Sequence, residues 1–226
     1  MQPSRDTTSQ GAAESGSFEL IGSRGCGSAI VEAALRLTGL PFHLTDLPYL
    51  KPGPGRDRLL RLNVSGQVPT LVLPCGGIMT ESAAMILHLH DLAPHAGLVP
   101  PPGTPERWRF WNLLERLIGS VYPTFTYGDD PAKWAGPGAA AELMRVKVHD
   151  RRAELWQEIE REIGAPHALG AHFSALDLYV AVMTRWRPGP GWFRGTCPKL
   201  AAVAETAALE PQLAAVLDRH FDPPLE

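Results

Sequence analysis

The sequence predicts a small α/β unit followed by an all-helical one, on three observations. From residue 18 to 96, short β-rich runs and helix-period segments follow one another in the order β-α-β-(α)-β-β-α. A stiff, proline-rich stretch, Val99 to Pro105, then interrupts the chain. Beyond it every apolar pattern has helical spacing. The expected division is a flexible tail over 1–17, an α/β domain over 18–96, a linker over 97–104 and a helical domain over 105–226.

Composition bounds the class. With 226 residues, 44% hydrophobic and 20% charged, the chain buries a sizeable core and is not a disordered protein. Its 22 glycines and 22 prolines fall short of a low-complexity content. A net charge of −3 gives no electrostatic footprint for nucleic acid. No apolar run approaches the roughly 18 residues of a membrane helix. Three widely spaced cysteines without a C-x-x-C fit neither a disulfide framework nor a zinc site, and suggest a reducing cytoplasm. His88 and His90 stand two apart on a predicted helix and point in different directions, so no metal is expected.

The elements follow in order. Met1 to Ser17 is small and polar, without an apolar signal core. Phe18–Gly22 reads as a strand that ends in glycine. After the loop Ser23 to Gly27, Ile30, Val31, Ala34 and Leu35 recur at helical spacing from Ser28 to Thr38, and Gly39 stops the helix. Pro41–Leu47 returns to a strand. Leu47 to Arg58 carries three prolines and two glycines and is expected to be loop, with a short helix over Leu59–Leu62.

Gln67–Leu73 is β-rich with Pro69 inside it. Proline donates nothing to a ladder, so Pro69 belongs at a strand's first residue or in a tight turn, where a cis bond is a deliberate feature. Gly76-Gly77 marks a hairpin turn before Ile78-Met79-Thr80, and Thr80-Glu81-Ser82 opens an apolar helix. In the second half, Pro105 suits a first helical turn. Trp108, Trp111, Leu114, Leu117 and Ile118 are expected to form one apolar face. Val121–Asp130 is poor helix and reads as a kink or loop beside a cleft. Ala139–Gly164, Ala175–Trp186 and Lys199–Leu209 read as helices.

The glycine cluster Gly22 to Gly27, with Asp46 after the next strand, invites a dinucleotide-binding reading. Ile30 takes the place of the third glycine of that fingerprint, and no further βα units follow to build a doubly wound sheet. The cluster is read instead as a turn that needs glycines.

Three stretches together resemble the glutathione S-transferases. Asn63-Val64-Ser65-Gly66-Gln67-Val68-Pro69 is similar to that family's Asn-Pro-x-Gly-x-Val-Pro, with Val64 in place of the first proline. Thr80-Glu81-Ser82 is similar to its helix-opening Glu-Ser pair. Phe173-Ser174-Ala175-Leu176-Asp177 is similar to its capping box and staple. The resemblance implies an N-terminal thioredoxin-like domain followed by a C-terminal helical bundle. It also implies glutathione as co-substrate, held by Gln67, Val68, Pro69, Glu81 and Ser82.

The chemistry of those residues suits that ligand. A helix N-terminus with a hydroxyl at Ser82 suits a carboxylate, Glu81 supplies an anion for an ammonium, and the Val68 backbone is free to pair with a peptide. Plain helix capping is the alternative role for Glu81-Ser82. By resemblance, the thiol-activating group lies after the first strand, and three options remain. Cys26, at a helix N-terminus beside Arg24, would have a lowered pKa and form a mixed disulfide with glutathione. Ser23 or Ser28 would donate to the thiolate. Backbone N–H groups of the loop would stabilise it alone.

Trp111, Tyr122 and Phe125 are expected to line a pocket for a small hydrophobic electrophile. Lys51, Arg56 and Arg58 are weighed for the glycyl carboxylate, against plain solvation. Cys75 and Cys197 are expected to be structural. The implied protein is a cytoplasmic homodimer with a detoxification role, without metal, nucleic-acid or membrane partners. Two alternatives stand: a Cys26-dependent thiol–disulfide oxidoreductase and a non-catalytic binding module.

Overall fold

The computed structural model describes residues 16–222; the tail expected over 1–17 lies outside the described residues except for its last two. Four strands, β1 (Phe18–Gly22), β2 (Phe42–Asp46), β3 (Thr70–Val72) and β4 (Ile78–Met79), form one mixed sheet in the order β2-β1-β3-β4. β1 runs parallel to β2 and antiparallel to β3, and β3 pairs antiparallel with β4. Three helices belong to this half: α1 (Ser28–Thr38), α2 (Pro54–Leu62) and α3 (Ser82–Leu92). The result is the thioredoxin-like domain that the element order implies.

Register decides where the interesting residues meet. Ile21 pairs with Thr70, so one step further Gly22 stands beside Pro69. Leu71 pairs with Met79, and the same register carried two residues on brings Pro69 toward Glu81. The end of β1, the start of β3 and the end of β4 therefore converge on one edge of the sheet. Each leads there into a loop or a helix N-terminus.

The second half is helical: α4 (Pro105–Arg116), α5 (Tyr122–Asp129), α6 (Ala132–Ala135), α7 (Ala139–Glu162), α8 (Ala175–Met183), α9 (Pro190–Thr196), α10 (Pro198–Ala207) and α11 (Pro211–Phe221). A π turn, Leu117–Val121, joins α4 to α5. One apolar core runs through both halves, from Phe18, Leu20 and Leu71 to Trp156, Tyr179 and Leu217. Its centre is α1, buried without a break from Ser28 to Leu35 and packed against β1, α3, α8 and α11. α8 is the other central helix, buried along its whole length because its nine residues carry only Asp177 as a charge.

The proline-rich stretch after β2 does not stay loop up to Leu59. α2 begins at Pro54, because proline at a first helical position gives up only an N–H that has no intrahelical acceptor there. Leu59 then joins Ile21 and Leu47 in a separate small cluster under the sheet.

The buried face of α4 is Phe110, Leu113 and Leu114, continued by Leu117, and not the one centred on Trp108, which is 65% exposed. Residues Tyr122–Asp129 are helix, not loop. The irregularity lies one turn earlier, in the π turn, and Pro123 is tolerated as the second residue of α5. Three helices carry no expectation from sequence, α6, α9 and α11. Cys197 is buried as expected of a structural residue, whereas Cys75 is exposed in the β3–β4 turn. Among the described residues no single helix is long and apolar enough to cross a membrane.

Candidate functional site

The loop after β1 is held from both halves of the molecule. A side chain at Gly22 would stand 2.8 Å from Ser28 Oγ, which is why glycine ends the strand. Ser28 is fully buried; its hydroxyl donates to the Ser23 carbonyl at 3.0 Å and accepts from the Ser23 N–H at 3.2 Å. Gly25 has φ of 73°, the left-handed region that favours glycine. Its N–H donates to His220 Nδ1 at 3.2 Å and its carbonyl accepts from Trp186 Nε1 at 2.8 Å. Because Nδ1 accepts, the His220 proton sits on Nε2, 3.0 Å from the buried Glu32 carboxylate. Arg24 reaches away from the loop, to the carbonyls of Arg219 at 2.8 Å and Asp222 at 3.2 Å.

No side chain caps α1. Among the described residues the N–H groups of Gly27 and Ser28 have no partner, which leaves an electropositive helix end. Cys26 lies just before it, half-buried, its thiol donating to the Tyr49 hydroxyl at 3.8 Å. Burial pushes the Cys26 thiol up, and hydrogen bonds from Tyr49 and Ser23 only partly offset this. The direction is opposite to the one expected for a reactive thiolate, because Arg24 is engaged elsewhere and the apolar surroundings disfavour charge.

Across the converging edge, the Val68–Pro69 bond is cis. The Gln67 carbonyl accepts from Asn63 Nδ2 at 3.1 Å and Thr70 Oγ1 at 2.9 Å, which fixes this corner. Among the described residues the Val68 N–H and carbonyl have no protein partner. Glu81 has extended backbone at the N-cap of α3, is exposed and makes no capping hydrogen bond. Plain capping therefore does not account for its side chain. Ser82 Oγ lies 2.7 Å from the hydroxyl of buried Tyr179.

The helical half forms the opposite wall. Tyr122, Phe125 and Trp186 meet edge to face, with centroids 5.0 to 6.4 Å apart. Arg152 lies 3.8 Å over the Phe125 ring and is held by Thr124 Oγ1 at 2.9 Å and the Thr124 carbonyl at 2.6 Å. Burial lowers its pKa to about 10, still far above neutrality. Trp111 is not part of this cluster: it packs on Phe110 at 5.4 Å and under Arg107 at 5.2 Å. Of the weighed basic residues, Arg58 pairs with Glu19 at 2.7 Å, Arg56 donates to the Tyr49 carbonyl and Lys51 is exposed. The described residues contain no group of three metal-ligating side chains.

Sequence reasoning missed Tyr49, Tyr179, Trp186 and His220. Trp186 and His220 reach the Gly25 backbone from 161 and 195 residues away, and no local pattern announces such a contact.

Comparison with known proteins gives a consistent result. Residues 28–92 match the N-terminal domain of glutathione S-transferases. The chain is 36% identical over 205 residues to the uncharacterized GST-like protein YncG of Escherichia coli strain K12, covering 90% of this chain and 98% of that one. A sphingomonad glutathione S-transferase complexed with glutathione superposes with a TM-score of 0.72 at 26% identity, over 89% of this chain and 98% of the other. A glutathione transferase homologue from Sulfitobacter, with bound glutathione, shares the fold with a TM-score of 0.76 at 24% identity, over 90% and 98%.

Proposed function

The chain belongs to the glutathione S-transferase family, and from that premise we propose that it binds glutathione along the edge formed by Gln67, Val68, Pro69, Glu81 and Ser82 and transfers the sulfur to a small hydrophobic electrophile. The observation that carries this reading is that Gly22 at the end of β1, Pro69 just before β3 and Glu81 just after β4 lie at the same end of the paired strands.

In this arrangement the free N-terminus of α3 and the Ser82 hydroxyl receive the γ-glutamyl carboxylate, and Glu81 receives the ammonium. The open Val68 N–H and carbonyl pair with the cysteinyl backbone as an added strand. The sulfur then lies at the N-terminus of α1. There the Gly27 and Ser28 N–H groups favour the thiolate over the thiol, which in water ionises only near pH ~8.5. The thiolate attacks the electrophile against the wall of Tyr122 and Phe125, with Trp186 completing the wall in place of Trp111.

Ser28 has its hydroxyl engaged by Ser23 on both sides, and Cys26 is held as a neutral thiol with the Ser23 side chain bonded to it, so none of the three offers the sulfur a free side-chain donor. Disulfide exchange through Cys26 draws no support from a thiol whose pKa is raised. The exposed Leu92 and Trp108 offer apolar surface for a homodimer. Three unpaired cysteines suit a reducing cytoplasm, where such conjugation serves detoxification.

Calorimetric titration with glutathione tests the site. Saturable binding is expected in the wild type, weakened about tenfold or more by Glu81→Ala, since a charge-assisted contact contributes roughly 1.5–3 kcal/mol. Equal affinity in the two proteins would remove the site. Binding without turnover of any electrophile would favour a binding module.

A further inference from the structure

We propose that the Tyr122 hydroxyl, supplied by the helical domain, is the side-chain donor that stabilises the glutathione thiolate in this protein. The inference rests on the glutathione-transferase reading above and deepens it. It starts from the loop after β1: Ser28 is engaged by the Ser23 backbone, and Cys26 by Tyr49 and the Ser23 side chain, so the loop has no side chain free to donate to the sulfur. At the N-cap of α1 the residue is Gly27.

What stands over Gly27 is Tyr122. A Cβ built on Gly27 would lie 1.8 Å from the Tyr122 hydroxyl oxygen, so the phenol occupies the space that a side chain at 27 would take. Any larger residue there would have to displace it. The chain has in effect a side chain at this position, delivered from α5.

Three phenols surround the cleft, and two are already engaged. Tyr49 accepts from Cys26 at 3.8 Å, and Tyr179 lies 2.7 Å from Ser82 Oγ. Among the described residues the Tyr122 hydroxyl has no hydrogen-bond partner, and it is not sealed from solvent. A free O–H donor thus sits at the same helix end as the unpaired N–H groups of Gly27 and Ser28. The π turn at Leu117–Val121, a rare element that recurs at functional sites, immediately precedes Tyr122.

Burial raises the Tyr122 pKa well above that of a free phenol, with the neighbouring Tyr179, Cys26, Tyr49 and Glu81 acting in the same direction. The hydroxyl therefore keeps its proton and acts as a donor, not as a base. The step balances without it losing that proton. The glutathione S–H proton passes to solvent, the thiolate accepts hydrogen bonds from Tyr122 and the loop N–H groups, and its electron pair forms the new C–S bond. The displaced pair leaves with the electrophile's leaving group or is protonated on the adduct.

The test compares wild type with Tyr122→Phe in the full chain, reading the thiolate absorbance of bound glutathione against pH, the glutathione Kd, and kcat with a chromogenic electrophile. The substitution removes one oxygen that makes no protein hydrogen bond, so the fold is expected to be kept, and with it the Kd read at acid pH, where bound glutathione is a thiol in both proteins. The ionisation midpoint is expected to rise by about one unit or more, and kcat at neutral pH to fall about tenfold to a hundredfold. An unchanged midpoint with unchanged Kd overturns the Tyr122 role and leaves the glutathione site standing. A weaker Kd with an unchanged midpoint also overturns it, because Tyr122 would then serve binding alone. No glutathione binding by the wild type overturns the parent reading, and this one with it.

Discussion

Glu32 is fully buried on α1, yet it is charged. Its carboxylate meets Arg36 at 2.9 Å, His220 at 3.0 Å and the Arg219 guanidinium, which also binds Asp46. Burial alone would raise its pKa. The hydrogen bonds from His220, Arg219 and Arg36 outweigh that, and the pKa falls to about 2. A carboxyl whose folded pKa lies below its unfolded value stabilises the fold above the unfolded value, and that stability is lost as pH falls through the folded one. The Glu32 contribution, on the order of 3 kcal/mol, is therefore present at neutral pH and fades between about pH 4.5 and 2. Urea unfolding of wild type and Glu32→Gln should show a gap of that order at pH 7 that narrows below about pH 4.5 and closes toward pH 2. A gap independent of pH would refute this account. At this scale the residues of the proposed glutathione edge are legible in the sequence, since Glu81, Ser82 and Pro69 stand in short motifs. It did not show Glu32 as a hub, because a glutamate in a helix is ordinarily solvated.

At the level of elements, α8 shows how a local signal and a remote partner combine. Ser174 caps the helix and Asp177 answers it, accepting from the Ser174 N–H at 2.9 Å and the Ser174 hydroxyl at 3.1 Å. The capping box is readable in four residues. The same carboxylate also accepts from the Ala168 N–H at 3.0 Å and lies 3.2 Å from His167 Nδ1, which ties the loop after α7 to the helix. Asp177→Ala would leave the buried N–H groups of Ser174 and Ala168 without acceptors and remove the return half of the capping box, an expected loss of about 3 kcal/mol. The urea midpoint should drop accordingly with the slope unchanged, and a drop under about 1 kcal/mol would mean water replaces the carboxylate. α11 is the opposite case. Leu213, Val216 and Leu217 stand at helical spacing, yet nothing local to the segment tells that its last turn clamps the loop at Gly25.

Over the whole molecule the apolar core is continuous, with α1 of the first half packed against α8 and α11 of the second. The two halves are therefore expected to unfold as one cooperative unit. All six tryptophans lie in the helical half, so their emission follows that half alone. Urea unfolding followed by tryptophan emission and by amide protection in β1 should give a single midpoint. Two separated transitions would show that the interface around α1 contributes little. The shared core also explains the candidate site: its loop belongs to the sheet, while the groups that shape it, Tyr122, Trp186 and His220, come from the bundle.

The sequence by itself determined the strands, α1 and α3 of the first half, the glycine and proline turns, the Ser174 capping box and the motif residues of the proposed glutathione edge. Each depends on backbone geometry and on interactions within a few residues. Only the tertiary structure decided which face of α4 is buried, that Trp186 and not Trp111 joins Tyr122 and Phe125, and that the Cys26 thiol is pushed up. Those outcomes follow from desolvation and packing by elements distant in the chain. No pattern within a short window carries that information.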